Sequence, residues 1–200
     1  FASAAPATVE MRMGESGRAL YSVRKPVAPG RLNPFLTPPR TRPRPMIVGH
    51  RGVPALHQEN TLAGFRRAIA LGIPAVELDV RLTKDGKLVV FHDGDVSRMT
   101  GRPGVVAQMT WDQVAKLRVR RDVPMGIRPD GTTVMARYEK EERIPLLAEV
   151  LTVIAPKAAI NVELKLDMAR WWHVDVAAAT TKVIHDLGVE DRVMVTSFDP

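Results

Sequence analysis

From residue 46 onward, short apolar runs alternate with segments whose apolar positions recur at helical spacing. Residues 46–50 (MIVGH) read as a buried strand, and residues 75–80, 88–92, 158–165 and 192–198 as four more. Residues 61–71 (TLAGFRRAIAL) read as a helix closed by Gly72, and residues 174–187 as another closed by Gly188. Residues 110–118 and 145–154 are also predicted helical, with Pro145 near the first turn of the second. Lys84-Asp85-Gly86-Lys87 is a hairpin-type turn between the second and third strands. Strands alternating with helices predict an α/β fold of parallel βα units. No repeat of 20–50 residues is visible.

Residues 1–45 follow a different pattern. They hold eight of the sixteen prolines, and residues 23–45 place Pro every few positions with Arg between. Proline removes backbone donors and fixes φ, so this stretch favours extended polyproline-like conformations over a packed core. The charge divides at the same point. The net charge is +7, yet residues 1–45 carry eight Lys/Arg against two Glu, and the remainder carries twenty-one basic against twenty acidic residues. The basicity therefore belongs to a Pro/Arg-rich leader, residues 1–45, followed by a nearly neutral domain, residues 46–200. A leader of this kind could serve as an arm for an anionic membrane or nucleic acid, but aromatic residues for base stacking are scarce and nucleic acid is not expected as a partner. The A-x-A-like stretch at residues 1–7 resembles a signal-peptide cleavage region and tilts the expected location toward export.

The 200 residues contain no cysteine, which excludes a disulfide scaffold, a thiolate zinc site and a cysteine nucleophile. The apolar runs are too short to span a bilayer as a helix.

Acidic and basic side chains gather at the ends of the predicted strands. The first ends in His50-Arg51, the second in Glu77-x-Asp79, the third in His92-Asp93, the fourth in Glu163-x-Lys165 and the fifth in Ser197-Phe198-Asp199. Strand periodicity puts Glu77 and Asp79 on one face, and Glu163 and Lys165 likewise. One charged pair at a strand end is usually a solvated loop. Five in succession are what the rim of a βα barrel carries, because active sites form there. Three carboxylates converging on one point are naturally stabilised by a hard divalent cation with oxygen ligands.

His50-Arg51-Gly52, Glu59-Asn60-Thr61, Glu77-Leu78-Asp79-Val80, Thr83-Lys84-Asp85-Gly86 and His92-Asp93 together resemble the glycerophosphodiester phosphodiesterase family. Ile144-Pro145-Leu146-Leu147-Ala148-Glu149, Asn161-Val162-Glu163-Leu164-Lys165 and Thr196-Ser197-Phe198-Asp199 continue the match, which covers about residues 46–200. The resemblance implies a TIM (β/α)8 barrel with a small insertion after the third strand. It also implies metal-dependent hydrolysis of glycerophosphodiesters to sn-glycerol 3-phosphate and an alcohol, with Ca2+ or Mg2+ as cofactor. By position, Glu77, Asp79 and Glu163 would bind the metal, and His50 and His92 would be the general acid and base. Arg51 and Lys165 would hold the phosphate, with Glu59 beside the metal and the substrate hydroxyls. The residue types suit the chemistry: a cation with Arg and Lys neutralises the non-bridging oxygens, and two histidines can take and give a proton near neutrality. The attacking group would be water or the glycerol 2-hydroxyl.

Other readings compete with this one. A lipid phosphodiesterase of sphingomyelinase D-like or phosphatidylinositol phospholipase C-like type shares two histidines and a carboxylate metal site. A non-catalytic anion-binding scaffold would have little use for the full set of histidines and carboxylates. The partner expected is a small glycerophosphodiester, with membrane contact a lesser alternative. Gln58 stands where the family commonly has Pro, which implies a looser loop before Glu59. Eight strands usually occupy ~250 residues, so five strands predict that the C-terminal part of the barrel is missing from this sequence. Outside the motifs, His57 is read as a loop histidine, and His173 and His185 as surface residues. Trp171-Trp172 are candidates for packing or for a contact in a rim loop. The run Arg118-Val119-Arg120-Arg121 is read as a solvated face.

Overall fold

The chain divides into two units, Phe1–Leu32 and Asn33–Pro200, and the computed structural model describes residues 8–13, 19–24, 35, 45–166 and 176–198. In the first unit, β1 (Thr8–Met13) and β2 (Ala19–Arg24) pair antiparallel, with Thr8 opposite Arg24 and Met13 opposite Ala19. Within the stretch read from the sequence as a leader, the alternation in TVEMRM and ALYSVR forms a hairpin. Most of the Pro/Arg-rich stretch 23–45, with Trp171, Trp172 and His173, lies outside the described residues.

In the second unit the elements follow as β3 (Val48–Gly49), α1 (Leu62–Ala70), β4 (Ala75–Leu82), β5 (Leu88–Val90), α2 (Ser97–Thr100), α3 (Trp111–Val114), β6 (Asp122–Ile127), β7 (Thr133–Arg137), α4 (Leu147–Ile154), β8 (Ala159–Leu164), α5 (Val176–Leu187) and β9 (Val193–Ser197). β3, β4, β8 and β9 form a parallel sheet in that order. The third expected strand is present as β5, but it is antiparallel to β4, with Val80 opposite Val90. Residues 83–87 are too few for the crossover a parallel return needs. Instead Thr83 Oγ1 donates to Asp85 Oδ1 (2.6 Å), Thr83 N donates to Lys87 O (2.9 Å), and Gly86 takes φ +76°. Among the described residues the parallel sheet therefore has four strands, not five.

The strand expected to be buried at residues 46–50 is also corrected. Ile47 is 69% exposed and Val48 38%, because β3 is only two residues long and pairs with β4 alone among the described residues.

β4 and β8 alternate between two buried faces. Val76, Leu78 and Val80 of β4 and Ile160, Val162 and Leu164 of β8 enter the core. That core also takes Leu62, Phe65 and Ala68 of α1, Leu147, Val150, Leu151 and Ile154 of α4, and Val176 and Ile184 of α5. The helices start and stop at identifiable residues. Thr61 caps α1 by accepting from Gly64 N (3.2 Å), and Gly72 follows it at φ +72°. At α4, Glu149 Oε2 accepts from Leu146 N (2.9 Å), and Arg143 grips the same carboxylate at 2.7 and 2.8 Å. The opposite face of β4 and β8 carries the polar residues.

The segment between β5 and α4 has its own small core, including Phe91, Met99, Val106, Val123, Tyr138 and Ile144. The expected helix at residues 110–118 shortens there to α3, four residues long. The β6–β7 hairpin was not foreseen, although Pro129-Asp130-Gly131 marks its turn.

Candidate active site

On the polar face of the sheet, Asp79 stands directly opposite Glu163 in the β4–β8 register, and Glu77 lies two residues earlier on β4. The parallel pairing brings one oxygen from each of Glu77, Asp79 and Glu163 within 4.8 Å of the others, and all three are buried. Burial raises the Glu77 carboxyl to about 7. Asp79 and Glu163 push the same way, against the Arg51 backbone hydrogen bond. Glu77 Oε1, although buried, accepts no hydrogen bond among the described residues. An all-carboxylate set with an unmatched buried oxygen fits a hard divalent cation.

Two cations hem in this cluster. Lys165, just past β8, places Nζ 3.2 Å from Asp79 Oδ1 and also against Glu163 Oε1. Arg51 reaches the cluster through its main chain and its side chain. At φ +55° it occupies the left-handed region, where a non-glycine residue is uncommon. That conformation aims its N–H at Glu77 Oε2 (2.9 Å), while Nε lies 3.4 Å from Asp79 Oδ2 and Nη1 donates to Glu59 Oε1 at 3.1 Å. Asn60, also left-handed at φ +57°, donates its N–H to Arg51 O (3.0 Å) and its Nδ2 to Asp79 Oδ2 (2.7 Å). The turn after β3 leaves no room for a side chain at Gly49, where a Cβ would sit 2.6 Å from Gly52 O.

Both histidines connect to this web. His50 Nε2 lies 3.8 Å from Glu77 Oε2, with its side chain largely exposed. His92 Nδ1 is 2.7 Å from Asp93 Oδ1, and Asp93 Oδ2 accepts from Arg98 Nε at 2.5 Å. Arg98 then closes on Glu59 with Nη2 at 2.6 Å and Nη1 at 3.2 Å. Partial burial pushes the Asp93 carboxyl up, but the Arg98 and His92 hydrogen bonds outweigh it and hold the pKa below the usual carboxylate value. Arg98 balances the same way: burial lowers it, and the bonds to Glu59 and Asp93 raise it further.

All eight residues singled out from the sequence therefore fall into one continuous web of contacts. Arg98 was missed, because an arginine on the four-residue α2 carries no spacing signal. Gln58, expected to loosen the loop, does the opposite. It is buried, and its Nε2 donates to Lys140 O (2.6 Å) and Arg120 O (3.3 Å), tying the loop to the segment after β5. Tyr138 adds a second tie, its hydroxyl donating to Pro54 O at 2.7 Å.

Arg51, Glu59, His92, Asp93 and Arg98 line a cleft of about 590 Å³ together with residues of the β6–β7 hairpin. Among the described residues His57 takes no part in the ion-pair web, and its N–H bonds to Val53 O at 3.1 Å. His185 is exposed, with Nδ1 2.9 Å from Glu190 Oε1. Arg118 and Arg121 of the basic run donate to backbone carbonyls.

The family model described as "Glycerophosphoryl diester phosphodiesterase family" matches residues 50–200. A glycerophosphodiester phosphodiesterase of Caldanaerobacter subterraneus is 35% identical over 155 residues, covering 77% of this chain and 58% of that protein. One from Bacillus altitudinis is 33% identical over 156 residues, covering 76% and 57%. Among solved structures, an Oleispira antarctica phosphodiesterase in complex with the product sn-glycerol-3-phosphate superposes with a TM-score of 0.63 at 27% identity, over 78% of this chain and 58% of that one. The chain thus spans somewhat under three-fifths of the length of these relatives. Its parallel sheet is part of the TIM-barrel fold of these neighbours.

Proposed function

The chain belongs to the glycerophosphoryl diester phosphodiesterase family, and from that membership we propose that it hydrolyses a glycerophosphodiester to sn-glycerol 3-phosphate and an alcohol. One observation carries the reading above the rest: three buried carboxylates share a 4.8 Å neighbourhood, flanked by Arg51 and Lys165. Glu77, Asp79 and Glu163 would hold a divalent cation of the Ca2+ or Mg2+ class. Such an ion, when bound, supplies positive charge against the phosphate oxygens.

The remaining work falls to side chains already in place. Arg51 faces the cleft, and its guanidinium is shaped to bind phosphate oxygens in pairs. Lys165, held between Asp79 and Glu163, adds a second cation at the same edge. An ionised Asp93 is only an acceptor, so in neutral His92 the Nδ1 carries the proton toward it and Nε2 keeps its lone pair. His92 is thereby fixed in one tautomer, with Nε2 available for proton transfer in the cleft. His50, the more exposed of the two, is the partner in acid–base work: one histidine takes the proton of the attacking hydroxyl and the other protonates the leaving oxygen. Glu59 positions Arg51 and Arg98 and is placed to meet substrate hydroxyls.

The test is release of sn-glycerol 3-phosphate from glycerophosphocholine by the full-length protein. A chelator should abolish it, added Mg2+ or Ca2+ should restore it, and Glu163→Gln should not be rescued. Chelator-resistant turnover would remove the carboxylates from the mechanism.

A further inference from the structure

Resting on that phosphodiesterase reading, we propose that Arg98 is a positioning residue. Its guanidinium clamps Asp93 and Glu59 together, and through them sets His92 for proton transfer and Arg51 for the phosphate.

The clamp begins with how α2 is held. Met99 is buried in the same small core as Phe91. Its carbonyl accepts from Arg120 N at 2.8 Å, and Asp95 Oδ1 accepts from Ser97 N at 2.7 Å where the helix starts. Gly101 ends the helix at φ +69°. A helix of four residues has little stability of its own, so these ties fix where the Arg98 side chain begins.

From there every nitrogen of the guanidinium is engaged. Nε donates to Asp93 Oδ2 (2.5 Å), Nη2 to Glu59 Oε1 (2.6 Å) and Nη1 to Glu59 Oε2 (3.2 Å). Each carboxylate has a second partner with a role in the proposed reaction. Asp93 Oδ1 faces His92 Nδ1 at 2.7 Å, and Glu59 Oε1 accepts from Arg51 Nη1 at 3.1 Å. The contacts run in one line, His92–Asp93–Arg98–Glu59–Arg51.

Strand pairing does not make this link. β3, before Arg51, pairs with Ala75 and Val76 of β4, whereas β5, before His92, pairs with Val80–Leu82. The sheet sets two backbones, and the clamp sets two side-chain tips. Arg98 lines the same cleft as Arg51 and His92, yet it is poorly placed to hold the phosphate itself. Two carboxylates already occupy its fork, and an incoming anion would have to displace one of them. Glu59 is only 6% exposed, so losing Arg98 would leave its buried charge to Arg51 alone and draw that guanidinium away from the phosphate. Lysine is no substitute, because a single ammonium lacks the planar fork that spans both carboxylates.

The full-length protein, supplied with Mg2+, is compared with Arg98→Met, Arg98→Lys, Asp93→Asn and the Arg98→Met/Asp93→Asn double variant on glycerophosphocholine. Arg98→Met should lower kcat by about tenfold or more through His92 and raise KM by about fivefold through Arg51. Arg98→Lys keeps the charge without the fork and should lose about tenfold or more in kcat/KM. A parent-like Arg98→Lys overturns the proposal, since only a nearby charge would then be needed. In Asp93→Asn, Arg98 Nε holds the amide oxygen away from His92, so adding Arg98→Met should cost no further kcat while KM still rises. Losses in kcat that multiply overturn the proposal. Two readouts need no turnover, and Arg98→Lys carries both if Arg98→Met does not fold. Binding of sn-glycerol 3-phosphate, read by calorimetry, should weaken by about fivefold, and the ring-nitrogen NMR signals of His92 should move. Failure of either, even with a lowered thermal midpoint, makes Arg98 structural only and overturns the proposal. Both changes, with no turnover of glycerophosphodiesters by the parent, would count against the phosphodiesterase reading while the clamp stands.

Discussion

Glu77 holds the sharpest conflict between burial and charge in the site. Burial first, and the neighbouring Asp79 next, raise its carboxyl from 4.5 to about 7. The folded, metal-free protein thus binds that proton more tightly than the unfolded chain. The stability Glu77 contributes is full below its unfolded value of 4.5 and is lost as the pH rises through about 7. A bound cation needs the carboxylate, so binding at about pH 6 should release a proton and binding at about pH 8 should not. Calorimetric titration in buffers of different ionisation enthalpy reads this directly; equal proton release at both pH values would contradict it. A second prediction concerns orientation. His50→Ala and His92→Ala should each cut kcat by on the order of 10² or more, while the exposed His185→Ala leaves it essentially unchanged. Asp93→Asn should lower kcat with a small effect on KM and displace the pH–rate profile, because its one remaining acceptor oxygen is claimed by Arg98 Nε and its amide NH2 then faces His92 Nδ1, favouring the other tautomer. A loss of stability with an unmoved profile would make Asp93 structural only.

At the scale of elements, the segment between β5 and α4 is fastened to the loop after β3 through Gln58 and Tyr138. Gln58→Leu strands the carbonyls of Arg120 and Lys140 and should cost about 1–3 kcal/mol, read as a lower midpoint in urea with an unchanged slope. A midpoint equal to that of the parent would show that the tie carries no stability. Elements with strong periodicity were plain from the residues: β4, β8, α1 and α5 lie within a few positions of their expected spans. The eight candidate residues come together in one web of contacts, because strand alternation and strand-end positions bring most of them to one face; Glu59, in the loop before α1, was suggested only by the family resemblance. Strand direction was not plain, since alternation is the same for a parallel and an antiparallel strand. Only the shortness of residues 83–87 could have revealed the turn of β5. The β6–β7 hairpin is broken by a bulge after Pro124, which interrupts the alternation that would have marked it. Arg98 acquires its role solely from where α2 sets it, beside Glu59 and Asp93.

For the molecule as a whole, β3 and β9 bound the parallel sheet among the described residues. Ile47 and Val48 are exposed at one edge, and Val195 at the other. Neither edge strand contains a proline or a bulge, two of the devices that commonly guard such edges. The 200-residue chain prepared alone is therefore expected to self-associate, eluting ahead of its monomer position in size-exclusion chromatography. A monomeric 200-residue chain would show that these edges are harmless. The β4–β8 pairing has a further consequence at the ribosome. Residues Ala75–Val80 meet Ala159–Leu164, and everything between must be synthesised first. At ~5–20 residues per second, β4, whose residues Ala75–Val80 are all buried in the fold, waits several seconds for its partner, long enough for a chaperone to reach it. Shortage of that help would deplete this protein during its synthesis, before any folded molecule existed to be lost.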